Sequence, residues 1–365
     1  MRYFDHNATH PLSSTARQAW LDATERFIGN ASSPHRIGDR ADRALQEARE
    51  KLAGWLGCAP YEIVWTSGAT EANNTAIAHL SGRPGELLLS AIEHPCVRES
   101  ARRWFPDRQR EIPVTPAGVI DLTWLQTALT HGPIAGVAVM AANNETGVLQ
   151  PWQEALALCR EAGVPMLCDA AQWIGRLPAA GLGAGDFVSG CAHKFGGPAG
   201  VGFLKCPTDT RPLLAGGPQE DGRRAGTENL PGVLAMIAAL AERESAVASS
   251  AERDRFIARL GQELPQIQLL GAESPRLWNT VSVLMPPARD CRQRWVVKLD
   301  KLGFAVSTGS ACASGKEKPS HVLTAMGYSA EEAGRALRFS AGWDTTAEDW
   351  DALLTALGKA VAELA

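Results

Sequence analysis

Short apolar runs alternate with helical patterns over much of the chain. The runs have the length of single strands and cover residues 62–66, 86–90, 134–140, 165–169, 186–189 and 201–205. Such alternation is typical of crossover units around a mostly parallel sheet. The pattern therefore predicts an α/β fold whose strands end at a common edge, and that edge is where open sheets of this kind hold their ligands.

The length and a change of pattern predict two domains. At 365 residues the chain is longer than one core usually grows. A first helix is predicted from Ser13 to Ile28, closed by Gly29, within a large domain over residues 13–252. After that point a charged helix and two strand-like runs with a helix between them predict a smaller α+β domain. We assign residues 1–12 and 253–365 to it.

Composition excludes several classes of protein. With 45% hydrophobic and 21% charged residues the chain is typical of globular proteins, and its net charge of -4 offers no basic footprint for nucleic acid. No apolar run approaches the roughly 18 residues of a membrane span. The N-terminus lacks the pattern of a signal peptide. The eight cysteines include no Cys-x-x-Cys pair, so we expect a reducing cytoplasm, no disulfide framework and no metal site.

Three residues that lie far apart in the sequence indicate a chemistry together. The amine of Lys194 can form a Schiff base, and Asp169 ends an apolar run where a carboxylate can pair with a pyridinium nitrogen. Cys312 provides a thiol in a loop of small residues. A lone aspartate is often a helix cap and a lone cysteine a small core residue. The combination predicts a pyridoxal phosphate enzyme that hands sulfur to a cysteine.

Other segments supply plausible contacts for such a cofactor. The run 62–66 leads through a small-residue turn into a helix, so the backbone of Ala69 and Thr70 could hold a phosphate, although a plain helix capped by Ser67 or Thr70 has the same pattern. His94, which could also be an ordinary turn residue, could stack on a flat ring and act as an acid or base.

These segments closely resemble, almost end to end, the cysteine desulfurases, a branch of the class V aminotransferase family of fold-type I pyridoxal phosphate enzymes. The matching segments are residues 5–9, 29–33, 66–73, 93–94, 143–147, 169–172, 193–194, 224–229, 307–314 and 338–340. The resemblance implies an α/β fold with a mostly parallel seven-stranded sheet flanked by helices. It also implies a homodimer.

The resemblance further implies a role for each site residue. Lys194 would hold pyridoxal 5'-phosphate, His94, Asp169 and Gln172 would contact its ring, and Asn144 would lie near both the ring and the substrate. The phosphate and substrate contacts implied are Ala69, Thr70, Cys191, His193 and, across the dimer, Thr227 for the phosphate, and Asn30, Asn144 and Arg338 for the substrate. Cys191 departs from the family, which usually has a serine there, and Trp343 stands where arginine is common.

The implied reaction converts L-cysteine to L-alanine and stores the sulfur on Cys312 as a persulfide, with His94 or the cofactor pocket activating the thiol. A sulfur-acceptor protein would then use it for iron-sulfur cluster assembly or thiolation. Two alternatives stay open. One is a selenocysteine lyase or another cysteine or cystine C-S lyase of the same fold, and the other is a non-catalytic dimeric scaffold.

Overall fold

The computed structural model describes residues 1–246, 248–287, 291–309 and 319–364, so Cys312 lies outside the described residues. The strands are β1 Arg2–Tyr3, β2 Ile63–Thr66, β3 Glu86–Ser90, β4 Gln109–Ile112, β5 Ile134–Ala138, β6 Met166–Asp169, β7 Phe187–Cys191, β8 Gly202–Lys205, β9 Gln268–Leu269, β10 Thr280–Leu284, β11 Phe304–Ala305 and β12 Ala336–Ser340. The α-helices are α1 Ser14–Arg26, α2 Arg36–Leu56, α3 Ala69–Leu80, α4 Pro95–Trp104, α5 Leu122–Leu129, α6 Trp152–Glu161, α7 Leu230–Glu244, α8 Ala251–Glu263, α9 Cys291–Lys301, α10 His321–Ala325, α11 Ala330–Ala333 and α12 Ala347–Leu364.

A seven-stranded sheet organises the larger part of the molecule, in the order β2-β8-β7-β6-β5-β3-β4. Strand β8 runs antiparallel to β2 and β7, and the other neighbouring pairs are parallel. The predicted α/β class and the mostly parallel seven-stranded sheet are therefore confirmed. Strands β6 and β7 end side by side, with Asp169 paired to Ser189, which brings the residues that follow them to one edge.

Helices cover both faces of this sheet. Successive residues of a strand point to opposite faces, and Val137 accordingly packs in the core with α2, α6 and α7, whereas Ala138 packs in the core with α3 and α4. Strand β5 is buried along its whole length. Burial on both faces explains why the central strands have nearly continuous apolar sequences.

The first helix differs from its prediction. Ser13 caps α1 by accepting a hydrogen bond from the Ala16 amide at 3.1 Å, as its position suggests, but the helix ends at Arg26, before Gly29. A Cβ at position 29 would lie 2.7 Å from the Ile37 side chain. Gly29 is therefore explained by the close approach of α2 and not by a helix cap.

A second hydrophobic core is built from α8, α9 and α12 with the sheet β12-β10-β9. The N-terminal segment belongs to this core, because β1 pairs with β11 and Phe4 is fully buried in it. These contacts support a smaller α+β domain that includes the N-terminus, and the boundary at residue 252 stays a prediction. Among the described residues, no helix combines the length and apolar character needed to cross a membrane.

Candidate active site

A cavity of about 390 Å³ lies at the carboxyl edge of the seven-stranded sheet. Its volume is within the usual range for small-molecule sites. Ten of the predicted site residues line it, namely Ala69, Thr70, His94, Asn144, Asp169, Gln172, Cys191, His193, Lys194 and Arg338. Residues from α3 to β12 thus meet at one place, as the sequence analysis predicts.

Lys194 ends a short 3₁₀ helix, Ala192–Lys194, that follows β7 directly. Its amine donates hydrogen bonds to the carbonyl oxygens of Asn7 at 2.7 Å and Ala8 at 2.8 Å. Burial lowers the pKa of this amine to about 8, and the positive charges of Arg176 and Arg338 act in the same direction. A large share of the Lys194 amine is therefore uncharged, and nucleophilic, near pH 8.

Asp169 is the last residue of β6 and is 5% exposed. One carboxylate oxygen accepts a hydrogen bond from the Ala171 amide at 2.9 Å and the other accepts one from the side-chain amide of Asn73 at 2.8 Å. The first of these bonds lies in the turn after β6. No helix begins in this described segment, so the helix cap considered as the ordinary alternative is wrong. The second bond fixes the carboxylate in the cavity wall, and the sequence analysis assigned Asn73 no such part.

Helix α3 presents an uncapped N-terminus to the cavity. Its N-cap is Gly68, with φ 149°, and no side chain caps the helix, so the alternative of a cap by Ser67 or Thr70 is wrong. A Cβ on Gly202 of the antiparallel strand β8 would lie 2.6 Å from the Gly68 Cα, which keeps this turn narrow. The first N-H groups of a helix have no partner within the helix, so those of Ala69 and Thr70 are suited to an anion such as phosphate, and the Ala69 N-H also lies within reach of the Cys191 thiol.

His94 both caps a helix and lines the cavity. As the N-cap of α4 its Nδ1 accepts a hydrogen bond from the Cys96 amide at 3.2 Å, and its ring also lines the cavity. Burial lowers the pKa of His94, which favours the neutral imidazole. Burial and the negative charge of Asp169 raise the pKa of the neighbouring Glu93 carboxyl to about 8. The sequence analysis gave Glu93 no separate role.

Two further side chains, those of Cys191 and His193, line the cavity close to Lys194 in the sequence. Burial raises the pKa of the Cys191 thiol to about 11, so Cys191 is a protonated and weak hydrogen-bond donor. Burial lowers the pKa of His193 to about 4, and its Nδ1 lies 3.3 Å from the hydroxyl oxygen of Thr9. Both groups are therefore neutral at physiological pH.

Arg338, in β12, is 1% exposed and reaches the cavity from the second core. Its guanidinium donates to Asp5 at 2.6 Å and to the carbonyl oxygen of Asn144 at 2.7 Å. Its Nε has no hydrogen-bond partner within the described part of the chain. The guanidinium also donates to the carbonyl oxygen of Gly309 at 3.3 Å, so it is held at the cavity wall by Asp5 and two backbone carbonyls and keeps unused donor capacity.

Three predicted residues do not line the cavity. Asn30 lies on the exposed turn between α1 and α2, where its side-chain oxygen accepts a hydrogen bond from the Ser32 amide at 2.8 Å. Thr227 is exposed on the segment before α7. Cys312 falls outside the described residues, so the structure does not test its distance from Lys194.

The lining residues fit pyridoxal phosphate. The Gln172 side chain, which donates to the Asn7 carbonyl at 3.0 Å, has a buried Oε1 without a partner among the described residues. This oxygen is available to a polar ligand. The groups of that cofactor are matched by the buried amine of Lys194, the fixed carboxylate of Asp169 and the N-H groups at the start of α3. Fold and cavity define a pyridoxal phosphate protein of fold-type I.

Comparison with known proteins narrows this class. The Aminotransferase class-V family model matches residues 2–353. The IscS-like cysteine desulfurase of Mycobacterium tuberculosis is 38% identical, over 99% of this chain and 96% of the relative. A solved structure, the NifS-like protein from Rickettsia africae ESF-5, is 28% identical with a TM-score of 0.88 and covers 99% of both chains. The structure of SspA in complex with cysteine is also 28% identical, with a TM-score of 0.81, and covers 93% of this chain and 98% of SspA. The chain therefore belongs to the cysteine desulfurases of the class-V aminotransferase family, whose members use pyridoxal phosphate.

Proposed function

We propose that this chain is a pyridoxal-phosphate-dependent cysteine desulfurase that converts L-cysteine to L-alanine and transfers the sulfur to Cys312. The observation that carries the proposal is the meeting of Lys194 and Asp169 in one cavity at the ends of β6 and β7. A buried amine whose pKa is lowered to about 8 and a fixed buried carboxylate are the two protein groups that this cofactor chemistry requires.

The cavity residues divide the binding of the cofactor between them. Lys194 would hold it covalently, Asp169 would pair with the ring nitrogen and the N-terminus of α3 would receive the phosphate. His94 would lie against the ring. When bound, pyridoxal phosphate withdraws electron density from the Cα of an amino acid.

The remaining steps belong to the protein's own side chains. The Lys194 amine would accept the Cα proton of the substrate, for which an amine with a pKa of about 8 is well suited. Arg338 binds the substrate carboxylate, which then competes with or replaces Asp5 at the guanidinium fork. Asn30 could help to bind the carboxylate only if its loop approached the cavity, or if the Asn30 that takes part belonged to the other subunit of a dimer.

The sulfur transfer balances without an external oxidant. The thiolate of Cys312 attacks the substrate sulfur, a sulfur-sulfur bond forms and the carbon-sulfur bond breaks. The carbon gains a proton and leaves as alanine, so the sulfur is oxidised while the carbon is reduced. The persulfide on Cys312 would then pass to an acceptor protein for iron-sulfur cluster assembly or thiolation, in the cytoplasm. The free state of Cys58, Cys96, Cys159, Cys168, Cys191 and Cys206 is consistent with a reducing compartment.

Mass spectrometry after incubation of the cofactor-loaded protein with L-cysteine tests the reaction. We expect a mass increase of one sulfur atom that maps to Cys312 and is absent from the Cys312→Ala variant. The Cys58→Ser variant, which changes a half-buried thiol away from the cavity, is the matched control and should load normally. Full turnover of cysteine by Cys312→Ala would contradict the proposal and would point to a C-S lyase.

A homodimer completes the proposed site through Thr227 of the partner subunit. Thr227 is exposed and lies outside its own chain's cavity, and Leu214, whose carbonyl accepts a hydrogen bond from the nearby Ala225 amide, is 44% exposed. An exposed apolar side chain close to the segment that carries Thr227 is compatible with a subunit contact. Mixing the inactive variants Lys194→Ala and Thr227→Ala provides a test, because a mixed dimer would contain one intact site. Activity that appears on mixing supports the shared site, and a monomer by light scattering would contradict it.

A further inference from the structure

Three potential metal ligands converge outside the cavity. His6 and His10 lie on the N-terminal segment and Asp344 lies just after β12, and together we call them the His6–His10–Asp344 cluster. One ligand atom from each residue lies within 4.8 Å of the other two. The His6 Nε2 is 4.0 Å from the nearer carboxylate oxygen of Asp344. Such atoms need a further inward shift to reach ligand-metal distances of about 2.0 to 2.2 Å.

The hydrogen bonds of the His6 and His10 imidazoles leave the Nε2 atom of each ring available to a metal ion. The His6 Nδ1 is 3.0 Å from the Ser340 carbonyl oxygen and the His10 Nδ1 is 2.7 Å from the Pro11 carbonyl oxygen. A carbonyl oxygen only accepts, so each Nδ1 carries the proton and each Nε2 presents a lone pair. A backbone carbonyl that fixes the tautomer in this way is the usual partner of a metal-bound histidine.

The His10 Nε2 has no other use in the described structure. This atom is buried and lacks a hydrogen-bond partner among the described residues. Buried polar atoms are nearly always paired, so an unpaired one calls for a ligand. The ring of His10 is held between those of His6 and Trp343, with centroid distances of 4.8 Å and 4.9 Å. The lone pair therefore has a defined direction.

A glycine keeps the space between the ligands open. A Cβ at Gly342 would lie 2.4 Å from the His6 Nε2 and 2.7 Å from the Asp344 carboxylate oxygen. Any larger residue would therefore fill the volume where these two atoms converge. The Asp344 side chain is 85% exposed, so it is free to move toward an ion and leaves a side open for water.

Neighbouring charges set a limit on affinity. The Arg243 guanidinium stacks on the Trp343 ring at 4.0 Å and pairs with Glu242 at 3.0 Å, while Arg176 donates to the His6 carbonyl oxygen at 3.1 Å. These two cations oppose a metal ion, and Glu242 offsets one of them. Two neutral imidazoles and a single carboxylate are consequently expected to bind a divalent ion with moderate strength.

We propose that the His6–His10–Asp344 cluster binds one divalent transition-metal ion, with Zn²⁺ as the probe, through two imidazole nitrogens, one carboxylate oxygen and a water molecule. The ion would fasten the N-terminal segment to the turn after β12. That segment supplies the carbonyl oxygens of Asn7 and Ala8 to the Lys194 amine, and the His10 amide donates to the His193 carbonyl at 2.7 Å. The proposed ion is therefore structural and stabilises the segment that borders the active site.

The test is a Zn²⁺ titration of the cofactor-loaded protein after removal of adventitious metal, followed by X-ray absorption spectroscopy of the bound zinc. We expect one ion per chain with only nitrogen and oxygen neighbours, and a rise in melting temperature on binding. His10→Phe, which retains a flat ring, and Asp344→Asn should each weaken binding by about tenfold or more. His131→Phe, at an exposed histidine remote in sequence, is the matched control and should bind as the unaltered protein does.

The outcomes distinguish zinc binding at the His6–His10–Asp344 cluster from zinc binding at cysteine thiols. Sulfur neighbours in the absorption spectrum, or equal binding by the two ligand variants and the unaltered protein, would overturn the proposal. If His10→Phe fails to fold, Asp344→Asn still decides the matter, because Asp344 is exposed and, among the described residues, forms an ion pair with His6 alone. Neither substitution alters a residue that lines the cofactor cavity.

Discussion

The lowered pKa of Lys194 predicts how fast the protein captures its cofactor at different pH values. An ordinary lysine with a pKa of 10.5 is uncharged in about one molecule in 3000 at pH 7. With a pKa of about 8, the uncharged share is about one in ten at pH 7 and about one half at pH 8. Since only the uncharged amine attacks an aldehyde, capture should accelerate about fivefold from pH 7 to pH 8 and only about twofold more up to pH 10.

Stopped-flow absorbance after adding pyridoxal phosphate to cofactor-free protein measures this rate. The pH dependence of the cofactor itself is removed by running Nα-acetyl-lysine in the same buffers, where the rate should rise about tenfold per pH unit up to about pH 10. Glu93 needs a separate control because the pKa of its carboxyl is also raised to about 8. The Glu93→Gln variant should retain the inflection near pH 8 if Lys194 causes it.

Two results would refute the reasoning. A capture rate that keeps climbing tenfold per unit above pH 9 would mean that burial does not lower the pKa of Lys194. An inflection that disappears in Glu93→Gln would mean that the carboxyl, and not the amine, titrates near pH 8. In either case the source of the nucleophilic amine at neutral pH would have to be sought elsewhere than in burial.

Three further outcomes are expected. Cys191→Ser should tighten cofactor binding several-fold in an equilibrium titration, because a hydroxyl is a better donor than a buried thiol, and weaker binding would contradict this. Asp169→Asn should lower the rate of alanine formation by about a hundredfold or more, measured at saturating cofactor, and an unchanged rate would exclude the ring-nitrogen role. Glu220→Gln should lower the free energy of unfolding in urea by about 3 kcal/mol, because it leaves the Arg49 guanidinium buried without its bidentate partner, whereas the exposed Glu99→Gln should change it by less than about 1 kcal/mol.

The central strands are predictable because a strand that is buried on both faces needs a continuous run of apolar residues. The edge strand β4, with the sequence Gln109-Arg110-Glu111-Ile112, has only Ile112 buried and gives no such signal. Its pairing with β3 is a property of the assembled sheet. The end of α1 was misplaced because Gly29 is required by a contact with Ile37, and a tertiary contact leaves the same glycine in the sequence as a helix cap does.

Some residues of the candidate site are likewise predictable from the sequence, and others are not. Lys194 and Asp169 are predictable because Asp169 ends a strand and Lys194 comes soon after one, and strand ends meet at one edge of the sheet. The acceptors of the Lys194 amine are backbone carbonyls of Asn7 and Ala8, and backbone atoms carry no residue-type signal. Asn73 looks like an ordinary helix residue until the fold brings it to Asp169.

The proposed His6–His10–Asp344 cluster gives no signal in the sequence for a related reason. Cysteine spacing was the criterion for a metal site, and it detects ligand sets that are local in sequence. His6 and His10 are four residues apart, but their third ligand, Asp344, lies near the other end of the chain. Only the pairing of the N-terminal segment with β12 brings the three together.

The bridge between the N-terminal segment and β12 has a consequence for biosynthesis. Asp5 and Asn7 emerge from the ribosome first. Their partners, the Arg338 guanidinium and the Ser340 hydroxyl, are synthesised more than three hundred codons later. A nascent chain can therefore complete the seven-stranded sheet while its leading residues still lack their anchor. The lysine pocket can therefore mature only after β12 has emerged, and translational arrest before β12 should yield a protein that has its scaffold but remains colourless.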